Sequence, residues 1–135
     1  DVIGLQETRS SGHSAFTQAD YLVYCSGECG GENGGKKGQG GVGLLIRTSI
    51  ARAARLLELV SNRLLKVAVE LCGRAKAITF FVAYAPTEIQ NASDKHALWT
   101  SLDRATEDVP KYEQLFVLMD ANIRTGRREK GQVGS

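Results

Sequence analysis

Long apolar runs are missing from this sequence. No stretch approaches the roughly 18 apolar residues of a transmembrane helix, which excludes a helical membrane span. An excess of one charge is missing too. Seventeen Lys and Arg against fifteen Asp and Glu leave a net charge of +2, too little to announce a polyanion-binding surface by charge alone. Histidine is scarce: His13 and His96 stand far apart, and neither has metal-ligand spacing to a cysteine pair. The three cysteines, Cys25, Cys29 and Cys72, are an odd number without a framework. They read as reduced thiols of an intracellular protein rather than as disulfides or half of a zinc site. No signal-peptide pattern is legible. The chain opens on Asp1 directly into an apolar run, and Gly131 to Ser135 trail off without a closing element, so both ends read as cuts through a larger domain. What is there is ordinary: 135 residues, 42% hydrophobic and 24% charged, enough to bury a core within one domain spanning residues 1–135.

Apolar periodicity supplies the organisation. Val2 to Gln6 reads as a buried strand, Phe16 to Asp20 is ambiguous, and Tyr21 to Cys25 is a second strand rich in β-formers. Gly27 to Gly43 holds nine glycines and reads as a loop, with Lys36 and Lys37 in its middle. Val42 to Ile46 follows as an apolar strand. Ser49 to Leu59 reads as a short helix or an irregular connection. Leu65, Val67, Val69 and Leu71 alternate with polar or small residues, the mark of a strand with one wet face. Ala77 to Tyr84 is apolar almost throughout and should be a central strand, paired with the previous one as a hairpin across Cys72 to Ala75. Ser93 can cap a helix whose apolar face is Leu98, Leu102, Ala105 and Val109, and Pro110 stops it. Trp99 on that helix reads as packing. Leu115 to Met119 is a further buried strand. The expected class is α/β.

Three of these runs end in a polar residue that a core would reject: Glu7, Tyr84, and Asp120 with Asn122 two residues on. An unpaired buried carboxylate costs several kcal/mol, so Glu7 and Asp120 belong at strand ends where water or a metal can reach them. If the three ends converge, they form a set of hard oxygen donors suited to Mg²⁺ or Mn²⁺. Taken singly, each has a plainer reading: Glu7 as a solvated loop residue, Asp120 and Asn122 as an Asx-turn, Tyr84 as a core aromatic.

The motifs sharpen this. Leu5-Gln6-Glu7-Thr8 resembles the "LQET" signature of the endonuclease/exonuclease/phosphatase family, whose fold is that of deoxyribonuclease I. Ala83-Tyr84-Ala85-Pro86 is similar to its "YAPN" segment, Asp120-Ala121-Asn122 to its "GDFN" segment, and Gly41-Val42-Gly43-Leu44 to its "GGVA" strand. Order and spacing agree over most of the chain. Within the family the sequence resembles endonuclease domains of non-LTR retrotransposons and the related craniofacial-development-protein-2-like sequences. The resemblance implies a two-sheet sandwich flanked by helices, here truncated at both ends, and Mg²⁺- or Mn²⁺-dependent cleavage of phosphodiesters, DNA above all. By position it implies Glu7 as a metal ligand and Asp120 as the group that orients or activates the attacking water. It gives Asn122 a hydrogen bond to the phosphate or the metal-bound water, and Tyr84 a contact with the scissile phosphate. Thr87, Met119 and Ala121 depart from the pattern at non-ligand positions. The family's upstream asparagine and downstream "SDH" histidine have no counterpart here, so this stretch alone is expected to be inactive.

Lys36 and Lys37 are candidate contacts to a nucleic-acid backbone, although Gly34 to Gly38 lacks the Gly-Lys-Ser/Thr ending of a nucleotide-binding loop. Arg124, with Arg127, Arg128 and Lys130, could meet phosphates near the site or form a solvated tail. Two other readings stand beside the nuclease: a phosphatase acting on a small-molecule or lipid phosphate, and a non-catalytic remnant or interaction module on a dead nuclease fold. The thiols imply an intracellular location, and a DNA substrate would allow a nuclear one. No membrane or protein partner is inferable.

Overall fold

Β-branched and aromatic residues dominate the strands of the chain, and a computed structural model shows how they pair. It describes residues 1–10, 12–27 and 40–122. In chain order the elements are β1 (Val2–Gln6), β2 (Ser14–Gln18), β3 (Tyr21–Ser26), β4 (Val42–Arg47), β5 (Ala51–Ser61), β6 (Leu64–Leu71), β7 (Ile78–Tyr84), α1 (Ala92–Glu107) and β8 (Gln114–Asp120). They form two four-stranded sheets, ordered β1-β4-β3-β2 and β5-β6-β7-β8. Every pairing is antiparallel except β7 with β8, which α1 connects as a parallel crossover.

The period of two in the strands places the core. Val42, Leu44 and Ile46 of β4 face Leu65, Val67 and Val69 of β6 and Ile78, Phe80 and Val82 of β7 between the sheets. On the outer face of the second sheet, Leu64, Phe81 and Ala83 pack under Leu98, Leu102 and Ala105 of α1. Strand β7 is therefore buried along its whole length, as its unbroken apolar run predicts. The two-sheet α/β sandwich agrees with expectation, with one flanking helix among the described residues.

Several local expectations are corrected. Ser49 to Leu59 is neither helix nor irregular: β5 pairs with β6, and register shifts at Ala51/Ala53, Ala54/Leu56 and Leu59/Ser61 interrupt its alternation. Bulges of this kind break the period of two, which is why the sequence pattern did not show a strand. The ambiguous segment becomes β2, exposed throughout, so it has no burial contrast to read. Strand β6 has no wet face. Lys66 and Ala68 are buried, and the Lys66 ammonium lies 3.3 Å from Glu58 and over the Phe81 ring. Among the described residues strands β1 and β8 each pair on one side only, so they are partly exposed rather than buried; Ile3, Leu115, Phe116 and Val117 all reach solvent. The helix is capped by Asn91, whose side chain accepts from the Asp94 N–H at 3.1 Å, with Ser93 inside the first turn. It ends at Glu107, before Val109. Trp99 falls off the Leu98–Leu102–Ala105 stripe and is 45% exposed.

Candidate active site

Strands β1, β7 and β8 end side by side, and their close approach has a cause in the sequence. A Cβ on Gly4 would lie 2.8 Å from the Cβ of Leu118, closer than side chains can pack. Only glycine lets β1 of one sheet press against β8 of the other, and Glu7 and Asp120 lie just beyond those contact points. The register Tyr84↔Asp120 sets these two side by side across the parallel pair.

The Tyr84 hydroxyl donates a short hydrogen bond to Oε1 of Glu7, joining the two sheets. Beyond β8 the chain turns back. The Asn122 backbone N–H donates to Oδ1 of Asp120 at 3.0 Å, and its side-chain amide donates to the Ala85 carbonyl at 2.7 Å. The Ala85 N–H completes the turn with the Asp120 carbonyl at 2.9 Å. Glu7, Tyr84, Asp120 and Asn122 are thus brought together at one end of the sandwich. The Asx-turn at Asp120 is real, so the plainer reading of that pair and the chemical one describe the same geometry. Tyr84 is buried while Glu7 and Asp120 are exposed, as the cost of burying carboxylates requires.

Two of the four sit in the left-handed backbone region, Glu7 at φ 53° and Asn122 at φ 46°. For a residue with a Cβ such a conformation costs about 1–3 kcal/mol and persists only where the surroundings impose it. At Glu7 the next two residues impose it: the Thr8 and Arg9 N–H groups donate to the Gly41 and Gly40 carbonyls at 3.2 and 3.0 Å. Gly41 itself, at φ 91°, has no room for a Cβ against Thr8 and Ser26.

The Tyr84 proton is held above the ordinary phenol value, first by the hydrogen bond to Glu7 and then by burial. The Asn122 side chain and the charge of Arg63 pull the other way. Arg63 was not legible as a site residue. It belongs to no motif, and only the β6–β7 register, continued one pair past Leu64↔Ala83, sets it opposite Tyr84.

Among the described residues no group of three or more His, Cys, Asp and Glu could enclose a metal. Glu7 and Asp120 nevertheless each engage only one oxygen in these bonds. Two partly free carboxylates fit a hard divalent cation that completes its shell with water and substrate oxygens. His13, just before β2, and His96, on α1, are both exposed and belong to none of these three strand ends. Cys25 and Cys72 are free thiols. Lys36, Lys37, Arg124 and Cys29 lie outside the described residues.

Residues 1–128 match the sequence model of the endonuclease/exonuclease/phosphatase family. The chain belongs to this family. Curated relatives include craniofacial development protein 2 of Bos taurus, 25% identical over 130 residues, and of Tragulus javanicus, 23% identical over 130 residues. Each alignment covers 96% of this chain but only 20% and 21% of the relative, so the chain spans about a fifth of their length. The family's name covers nuclease and phosphatase chemistry, and its members generally depend on a divalent metal. No described helix is long and apolar enough to cross a membrane.

Proposed function

We propose that this chain carries part of the site of a Mg²⁺-dependent phosphodiesterase, with DNA as the substrate of the complete protein. The observation that supports the reading best is the link from Glu7 through Tyr84 to the Asp120–Asn122 turn, which gathers three separate strand ends. A buried hydroxyl, two exposed carboxylates and an amide at one edge are the groups that phosphodiester hydrolysis needs.

The roles follow from chemistry. Asp120 is an exposed carboxylate whose orientation its own turn fixes, and it accepts the proton of a water attacking phosphorus. Tyr84 donates to a non-bridging phosphate oxygen, where negative charge grows in the transition state. In doing so it exchanges its bond to Glu7 for one to substrate, which frees that carboxylate oxygen for a cation. Asn122, held by the Ala85 carbonyl, keeps its amide oxygen for the water or its amide edge for the phosphate. Glu7 would hold the metal, with Mn²⁺ as an alternative to Mg²⁺; when bound, the ion polarises the phosphoryl oxygens. Cleavage leaves one phosphate monoester end and one hydroxyl end. Lys36, Lys37 and Arg124 are proposed contacts to the DNA backbone.

Nicking of supercoiled plasmid by the complete protein in Mg²⁺ tests this. Cleavage that EDTA, Glu7→Gln and Asp120→Asn each abolish is the expected result. Cleavage that survives Glu7→Gln would contradict the assignment of the site. No cleavage, together with no cation binding, would favour a non-catalytic module on this fold. Turnover of a soluble inositol phosphate or a lipid phosphate in preference to DNA would favour the phosphatase reading.

A further inference from the structure

Arg63 sits in the short turn between β5 and β6, and main-chain bonds fix it at the site. Its carbonyl accepts the Tyr84 N–H at 3.0 Å, and its own N–H donates to the Ser61 hydroxyl at 3.2 Å. The preceding carbonyl, of Asn62, accepts from Gly41 at 3.0 Å, and Gly41 in turn accepts from Thr8. This turn therefore connects Tyr84 on one sheet with the segment following Glu7 on the other.

The side chain then crosses the ring. The Arg63 guanidinium carbon lies 5.2 Å from the centroid of Tyr84. Nη2 donates to the Gln90 Oε1 at 3.3 Å, and the same oxygen accepts from the Thr87 N–H at 3.0 Å. Among the described residues Nη1, which is buried, meets no oxygen or nitrogen partner. No carboxylate among the described residues forms an ion pair with Arg63. A partly buried cation with no anion is expensive unless something else uses its charge. The π face of Tyr84 uses part of it, and a planar guanidinium suits such a face better than an ammonium does.

We propose that Arg63 is a positioning residue for the reaction: stacked on Tyr84 and tied to Gln90, it fixes the phenol ring so that its hydroxyl reaches the phosphate. The inference rests on the reading of Tyr84 as a phosphate contact. Its action runs through the ring, so it affects the bound substrate at the moment charge develops rather than the binding of DNA as a whole.

Steady-state cleavage of an oligonucleotide duplex by the complete protein tests this, with Arg63→Ala and Arg63→Lys each made alone and together with Tyr84→Phe. Arg63→Ala is expected to lower kcat about tenfold or more with KM little changed, as coupled neighbours do. In the Tyr84→Phe background, which lacks the hydroxyl to be aimed, Arg63→Ala is expected to cost far less. Arg63→Lys keeps the charge but not the planar stack, so it should recover only part of kcat, and it serves where Arg63→Ala fails to fold. Equal losses in both backgrounds, or a change confined to KM, would overturn the proposal while leaving the nuclease assignment standing. A wild-type protein that cleaves nothing would remove the nuclease assignment itself, and this inference with it.

Discussion

Tyr84 and Glu7, 77 residues apart, meet through a single hydroxyl-to-carboxylate hydrogen bond that spans the two sheets. Replacing Tyr84 with Phe removes one donor and keeps the ring on Arg63. In the complete protein kcat should fall about 10²- to 10³-fold, the usual loss for one preorganised donor. Stability should change by only about 1 kcal/mol, since Glu7 is exposed and water replaces the lost partner. Parallel measurement of nicking rates and urea midpoints separates the two effects.

Gly4 marks where β1 touches β8. Gly4→Val should destabilise the fold by about 1–3 kcal/mol, because its new carbons meet the Cβ of Leu118, which would be 2.8 Å from the first of them. Denaturant unfolding reads the loss. Leu118→Ala leaves Cβ in place, so combining it with Gly4→Val should recover only part of the stability. A tolerated Gly4→Val would show that the two strands do not need this contact.

Asn91, not Ser93, caps α1. Asn91→Ala should cost about 1 kcal/mol, while Ser93→Ala should cost clearly less because its hydroxyl only donates to Asn91, at 2.8 Å. Thermal melts of the two variants side by side decide between the caps, and the reverse ranking would restore Ser93.

Tyr24 lies in the core between the sheets, and burial raises its phenol above the ordinary value. The unfolded chain therefore loses that proton first as the solution becomes alkaline. In that window the folded chain binds more protons, so stability falls as pH rises. Stability should be fully present below about pH 10 and decline above it. Tyr24→Phe should flatten that decline, leaving the part due to Tyr84, whose proton is also held up. Urea midpoints from pH 8 to 11 test it.

The legibility of this molecule varies with how each signal is written. Strand β7 could be read from the sequence because burial on both faces leaves an unbroken apolar run. Glu7, Tyr84, Asp120 and Asn122 stood out because strand ends carrying polar groups break that pattern, and the motifs tied them together. Strand β5 was hidden by its bulges, which shift the side-chain period. The wet face expected for β6 misled because Lys66 is buried beside Glu58 and Phe81, which only folding brings near. Arg63 had no local signature at all, since its significance lies in a cross-strand neighbour.

Paramagnetic broadening of the backbone amides by Mn²⁺ tests the central claim most directly. If Glu7, Tyr84, Asp120 and Asn122 surround one cation, the amides of Thr8, Ala85 and Ala121 should broaden together at low Mn²⁺, and Glu7→Gln should suppress all three at once. Broadening confined to one strand end, or unchanged in Glu7→Gln, would contradict a shared metal site.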